Sequence, residues 1–195
     1  MTNSSFIALY KKLSVDPIVD VLCKVGITPN VVTLLACLSG VAAAPYIAFR
    51  HPYLAIVFIL LSGHLDFLDG ALARRLQRSS SAGAVYDIVS DRIVEFSIIM
   101  GLFFVDPSSR GIMSMFMLGS ILVCVTSFLV VGIFTDNESE KGFYYSPGIM
   151  ERGEAFAFFV VMILIPSLFT VLAIVFTVLV FLTASIRLYQ FSRAV

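Results

Sequence analysis

Four aspartates fall within 26 consecutive positions of this chain, in the stretch HLDFLDGALARRLQRSSSAGAVYDIVSDR that runs from His64 to Arg92. Asp66, Asp69, Gly70, Ala73 and Arg74 are spaced i, i+3, i+4, i+7 and i+8, which is one stripe of a helix. Gly83, Asp87 and Asp91 are spaced i, i+4 and i+8, a second stripe. The short polar segment Arg75–Ala82 joins the two helices as antiparallel neighbours, so the stripes are expected to face each other across one cleft. Carboxylates converging there repel one another, and at least one stays protonated unless cations intervene. Hard divalent cations with oxygen ligands relieve that repulsion, and Mg²⁺ favours a few carboxylates together with substrate phosphates. Two such ions about 3.5–4 Å apart clamp a displacement at phosphorus. Gly70, Ala73 and Gly83 leave room for a ligand against the backbone, and Arg74 supplies a phosphate contact.

The elements that position these residues are transmembrane helices. Of 195 residues 59% are apolar and only 13% charged, with mean hydropathy +0.99, against roughly 45–50% and about 25% in soluble domains. Thirteen basic and thirteen acidic side chains leave no global positive field, so no nucleic-acid partner is expected. Cys23, Cys37 and Cys124 have no metal-ligand spacing and read as small buried hydrophobes. Apolar runs of about 20 residues mark spans at Asn30–Phe49, Tyr53–Leu76, Ala84–Val105 and Ile112–Phe134. The uncharged run Ala155–Ser185 is too long for one helix, and Pro166-Ser167 splits it into spans at Pro147–Ile165 and Leu168–Tyr189. Ser146-Pro147 reads as the N-cap and first position of the fifth.

The fold expected is an all-α integral membrane protein of six transmembrane helices (residues 29–195), preceded by a juxtamembrane amphipathic segment (residues 1–28). In that segment Ile18, Val19, Val21, Leu22 and Val25 share one helical face, as in a helix lying on the membrane. Ten of the thirteen Lys and Arg residues fall with the termini and the 2–3 and 4–5 loops, and only Arg50 and Arg110 fall on the other side. Both termini and the aspartates are therefore expected to face the cytoplasm, in the inner (cytoplasmic) membrane. A charge in mid-span costs about 2.5–3.5 kcal/mol, so four unpaired aspartates would cost on the order of 10 kcal/mol. That is too much for a passive feature.

The pattern Asp66-x2-Asp69-Gly70-x2-Ala73-Arg74-x8-Gly83-x3-Asp87-x3-Asp91 resembles, without a mismatch, the signature of the CDP-alcohol phosphotransferases. Eight fixed residues carry the match, and the six-span reading and Pro29-Asn30-x2-Thr33 are also similar to that family. The resemblance implies an enzyme that transfers a phosphatidyl group from CDP-diacylglycerol to the hydroxyl of a small alcohol, with release of CMP. It implies that Asp66, Asp69 and Asp87 hold two divalent cations, Mg²⁺ or Mn²⁺, and that Asp91 is the general base and a further metal ligand. It further implies that Gly70, Ala73, Arg74, Gly83 and Asp66 line the CDP site, joined by Asn30 and Thr33. Members are typically homodimers.

Arg152 and Arg187 read as lying inside the cytoplasmic ends of spans five and six, with Lys141 in the loop before them. Together they are the candidate pocket for a phosphorylated acceptor; snorkelling to lipid headgroups is the alternative. No G-L-P-x-P segment of the serine-using relatives follows the fourth span. Lys141-Gly142 matches poorly the Lys-rich segment of the glycerol-phosphate-using enzymes. Glu151-Arg152 resembles the corresponding segment of inositol-phosphate-using and archaeal relatives. The acceptor expected is therefore a phosphorylated polyol, glycerol 3-phosphate or inositol phosphate, with serine, choline or inositol as alternatives. His64 points away from the aspartate stripe, Glu95 extends the Asp87–Asp91 face, and Arg92 pairs with an acidic neighbour. An intramembrane prenyltransferase would carry a second Asp cluster and a transport protein polar residues deep in several spans; neither pattern is found.

Overall fold

The computed structural model describes residues 10–78, 80–135 and 148–194. A π-helical turn at Lys11–Val15 runs into α1 (Asp16–Val25), followed by α2 (Pro29–Ala48), α3 (Pro52–Arg75), α4 (Ser81–Phe104) and α5 (Pro107–Ile133). After residues 136–147, α6 (Arg152–Leu164), a 3₁₀ turn (Pro166–Leu168) and α7 (Phe169–Ala194) complete the chain. Pro29, Pro52 and Pro107 open their helices, where the missing N–H costs nothing. Gly26 closes α1 in the left-handed region, φ 79°, with its N–H on Leu22 and Cys23 carbonyls.

Four segments among the described residues are long and apolar enough to cross a bilayer: α2, α3, α5 and Pro166–Arg193. The break at Pro166 falls where the sequence places it, since α6 ends at Leu164 and α7 begins at Phe169. The start of the fifth span is corrected. Its helix begins at Arg152, because Glu151 caps it reciprocally with Glu154, whose carboxylate accepts from Glu151 N at 3.1 Å. Gly148–Met150 precede the helix, and Ser146-Pro147 lies outside the described residues. At about 1.5 Å per residue the 13 residues of α6 rise about 20 Å, short of the roughly 30 Å hydrocarbon layer. The fourth span starts earlier than expected, at Pro107, because Asp106 caps α5 through Ser109 N.

The chain divides into two compact units, one formed by the chain up to Ala42 with Val57–Glu95, the other by Ala43–Ile56 and the chain from Phe96. In the first, Val15 and Val19 pack into a core with Val32, Leu68, Ala71 and Leu72, while Val21 and Val25 of α1 are exposed. A Cβ on Gly40 would lie 2.5 Å from Val94 and 2.9 Å from Ser62 Oγ, so α2, α3 and α4 meet at a residue without a side chain.

In the second unit, α5 buries Arg110, Ser114, Met117, Ser120, Ser127 and Val131 and exposes Ile112, Met115, Phe116, Leu122 and Val123. Small polar groups inside and large apolar groups outside suit a hydrocarbon solvent, where close packing rather than apolar burial holds helices together. A Cβ on Gly101 would sit 2.7 Å from the Ala44 carbonyl oxygen and 3.0 Å from Ala44 Cα. Backbone cannot give way as a side-chain tip does. Gly101→Ala is therefore expected to destabilise the protein by about 1–3 kcal/mol, read as a lowered thermal midpoint in detergent; an unchanged midpoint would show that α2 and α4 can part freely.

Candidate active site

The first turn of α2, the C-terminal half of α3 and the first turns of α4 carry the site, all within the first unit. Asp66 and Asp69 stand one turn apart on α3, and Asp87 stands on α4. Asp66, Asp69 and Asp87 each bring one carboxylate oxygen to within 4.8 Å of the others. Asp69 is the most buried, at 7% exposure, and Asp66 and Asp87 are half-buried. A buried carboxylate is costly unless its oxygens are engaged. Thr33 answers that from α2, donating its hydroxyl to Asp69 Oδ2 at 2.5 Å, with the Pro29 carbonyl as its alternative acceptor at 3.2 Å.

Three hard carboxylate oxygens this close suit a divalent cation such as Mg²⁺ or Mn²⁺, which takes oxygen ligands at about 2.0–2.2 Å and keeps positions for substrate phosphate. The set fits. With a cation bound, Thr33 would orient a ligand in the way outer partners of metal sites do, and losing such a partner typically costs about 10–100-fold in metal affinity. Thr33→Val, similar in size but without the donor, is expected to raise the cation concentration for half-maximal activity by about that factor; an unchanged requirement would leave Thr33 a packing residue only.

Asp91 lies one turn beyond Asp87 and is half-buried. Arg92 reaches it with Nη2 at 3.9 Å and pairs with Glu95 Oε2 through Nη1 at 2.8 Å. Glu95 is 5% exposed and so anchors Arg92 beside Asp91. Arg92 thus has the acidic partner expected of it. His64 is hydrogen-bonded through Nδ1 to the Tyr10 hydroxyl.

Gly70 makes room for Arg74. A Cβ there would meet the Arg74 guanidinium at 3.4 Å, so the cation lies back along α3 over the glycine. Arg74 also lines a recess of about 330 Å³ with Lys11, Asp16, Asp20 and Arg75. Ser80 precedes α4 and accepts from Gly83 N at 3.1 Å, and Asn30 Oδ1 lies 3.6 Å from where a Gly83 Cβ would be. Asn30, Thr33, Gly70, Arg74 and Gly83 are thus gathered at the helix ends that carry the aspartates, and Ala73 stands half-buried on the same stretch of α3.

The acceptor residues have other surroundings. Arg187 is 7% exposed, donates to the Cys124 carbonyl at 3.1 Å and Ser127 Oγ at 3.2 Å, and stacks on Phe128 at 5.1 Å. Arg152 is the first residue of α6 and lies over the Phe156 ring at 5.2 Å. Lys141 lies outside the described residues. Sequence reasoning missed Tyr10, Lys11 and Ser80. Only Ser80 had a local signal, a serine three residues before the Gly83 N–H it accepts from.

A carboxylate triad that suits a divalent cation, on helices apolar enough to cross a membrane, fits metal-dependent transfer at phosphorus at a lipid surface. The chain belongs to the CDP-alcohol phosphatidyltransferase family, whose model matches residues 26–184. It is therefore a membrane-bound enzyme of phospholipid synthesis, and prenyl transfer and ion transport are set aside. The chain is 34% identical over 179 residues to the inner membrane protein YnjF of Escherichia coli, covering 88% of this chain and 86% of that one. It is 28% identical over 163 residues to the archaetidylinositol phosphate synthase of Pyrococcus horikoshii, covering 84% and 81%. The fold is that of the Mycobacterium tuberculosis phosphatidylinositol phosphate synthase. Its crystal structure with CDP-DAG bound superimposes with a TM-score of 0.77 at 24% identity, over 91% of this chain and 93% of that one. The same enzyme crystallised with manganese and citrate gives a TM-score of 0.75 at 24% identity, over 91% and 88%.

Proposed function

We propose that this enzyme transfers the phosphatidyl group of CDP-diacylglycerol to a phosphorylated polyol, inositol phosphate before glycerol 3-phosphate, and releases CMP. The observation that carries the reaction is the meeting of Asp66, Asp69 and Asp87 within 4.8 Å. The acceptor class is supported by relatives named as phosphatidylinositol phosphate and archaetidylinositol phosphate synthases.

In this reading Asp66, Asp69 and Asp87 hold two divalent cations, with Asp91 as a further ligand to one of them. The ions, when bound, polarise the diphosphate and offset the charge that develops on the CMP leaving oxygen. Asn30, Thr33, Asp66, Gly70, Ala73, Arg74 and Gly83 line the CDP end of the donor. Arg74 meets the diphosphate with its planar fork. Asp91 accepts the proton of the acceptor hydroxyl as that oxygen attacks the phosphorus bearing the lipid. The new P–O bond forms, the P–O bond to CMP breaks, and the proton stays on Asp91 until solvent takes it. Arg92, anchored by Glu95, holds the Asp91 carboxylate in place. Lys141, Arg152 and Arg187 receive the acceptor's phosphate.

The membrane arrangement belongs to the same reading. Residues 29–195 form six spans, the four long apolar segments joined by α4 and by α6, which at about 20 Å crosses only with the non-helical residues 148–151 before it. The helix α1 of the amino-terminal segment lies on the membrane surface with Val21 and Val25 toward lipid. Both termini and the aspartates face the cytoplasm, and the enzyme works as a homodimer. The test is CMP release from CDP-diacylglycerol against a panel of alcohols with Mg²⁺ or Mn²⁺. Inositol phosphate is expected to be preferred over free inositol, serine and choline, with Arg152→Ala raising the acceptor KM by about tenfold or more and leaving the donor KM nearly unchanged. A zwitterionic acceptor preferred, with Arg152→Ala indifferent, would overturn the acceptor assignment while leaving the transfer chemistry standing.

A further inference from the structure

A second recess, of about 520 Å³, lies within the second unit, lined by the chain turns between α2 and α3, α4 and α5, and α6 and α7. Arg50, Asp106 and Arg110 contribute its charge, and Val105, Leu164 and Pro166 the apolar surface open to it, over a floor of buried Leu102, Met162 and Phe169. Its volume is in the range of small-molecule sites. Arg110 is 6% exposed. It donates to the Leu102 carbonyl at 3.1 Å and the Pro166 carbonyl at 3.5 Å, and its guanidinium carbon lies 4.4 Å from the centre of the Phe169 ring. Among the described residues no carboxylate comes within 4.0 Å of it. Asp106, one turn back in the same recess, acts on Arg110 electrostatically without pairing with it, its Oδ1 accepting from Ser108 Oγ at 2.8 Å and Ser109 N at 3.2 Å, so the two arginines leave a net positive charge.

The placement of Arg110 is unfavourable twice over. A buried guanidinium calls for an anion, and this one sits in the first turn of α5, where the helix presents its positive end. Arg50 adds a second cation to the same recess. It is held at φ 58°, a left-handed backbone that residues other than glycine rarely adopt, and its Nη2 donates to the Val105 carbonyl at 3.2 Å. Two guanidiniums, each tethered by a main-chain carbonyl, therefore line one recess with the single carboxylate of Asp106, and among the described residues neither has a carboxylate within 4.0 Å. They are also the only lysines or arginines that the sequence assigns to the side of the membrane away from the aspartates.

We propose that this recess binds the phosphate of an anionic phospholipid. Arg110 and Arg50 hold the oxyanion, and the exposed apolar lining of Leu164 and Pro166, with the half-buried Val105, takes the first part of an acyl chain. Delocalised guanidinium suits a phosphate ester because its planar fork meets two oxygens at once. The apolar wall favours a lipid over free phosphate, which would gain nothing from it. The site is separate from the transfer reaction and does not depend on the acceptor assignment.

The test is native mass spectrometry of the purified full-length protein released from detergent and titrated with phosphatidylglycerol, with phosphatidylcholine, and with phosphatidylglycerol against inorganic phosphate. Phosphatidylglycerol is expected to bind about tenfold or more tightly than phosphatidylcholine, and Arg110→Gln to weaken it by about the same factor. Ser167→Asp, which brings a carboxylate into the recess and leaves both arginines in place, is expected to displace the lipid equally while CMP release stays unchanged. It keeps the proposal testable should Arg110→Gln not fold. Asp69→Asn is expected to leave phosphatidylglycerol binding intact, which separates this site from the catalytic one. Equal binding of the two lipids, or phosphatidylglycerol affinity unchanged in Ser167→Asp, would overturn the proposal. Displacement by inorganic phosphate with no preference for a lipid would show a site for a soluble phosphate instead.

Discussion

Asp69→Ala is expected to abolish CMP release, a loss of at least about 10³-fold, because several kcal/mol of charge stabilisation at phosphorus pass through the ligand it removes. Asp69 is the member of the triad with least exposure and with a dedicated donor, Thr33, on its Oδ2. It cannot be replaced by a neighbour swinging in. The unsubstituted enzyme in excess chelator is expected to show the same loss, reversed by adding Mg²⁺ or Mn²⁺. The variant should remain folded and extractable, since removing one of three mutually repelling carboxylates relieves electrostatic strain. Full turnover in chelator, or in Asp69→Ala, would rule the metal mechanism out.

Asp91→Asn is expected to lower kcat by about 10²–10⁴-fold, the usual contribution of a positioned general base, with the donor KM nearly unchanged. Asn has the shape of Asp but cannot accept the hydroxyl proton. Collapse of donor affinity with residual turnover unchanged would make Asp91 a metal ligand alone. Glu95→Gln offers an internal comparison. It weakens the hold on Arg92 without touching the Asp91 carboxyl, so it is expected to lower kcat far less than Asp91→Asn does.

What could be read from the chain alone was what repeats at helical spacing. Asp66, Asp69 and Gly70 on one helix and Gly83 and Asp87 on the next are local facts, and the structure has the helices that make them stripes. The break at Pro166 is equally local. Partners far apart in sequence were not legible. Thr33 meets Asp69 across 36 residues and Tyr10 meets His64 across 54, with nothing in either segment to announce the pairing. Only the family resemblance drew Thr33 in, and nothing drew in Tyr10. Helix starts failed for another reason. Counting apolar runs begins α5 at Ile112, but the polar turn Pro107–Arg110 is helical because Asp106 caps it. Ser146-Pro147 is a stronger capping signal by residue type than Glu151, yet Glu151 has Glu154 at the position a reciprocal cap requires.

The packing of Val15 and Val19 against Leu68, Ala71 and Leu72 has a consequence for how this protein can come apart. Leu68 immediately precedes Asp69, and Ala71 and Leu72 immediately precede Ala73 and Arg74, so the inner face of that turn is clamped by the N-terminal helix while its other face carries the carboxylates. The segment preceding the first long helix and the reactive turn therefore open and close as one cooperative element. Amide hydrogens of α1 and of Leu68–Ala73 should exchange at a common rate, and a peptide bond cut between Val25 and Thr28 should loosen the donor end of the site from outside it. The amino-terminal helix is a brace, and catalytic geometry is only as durable as its hold.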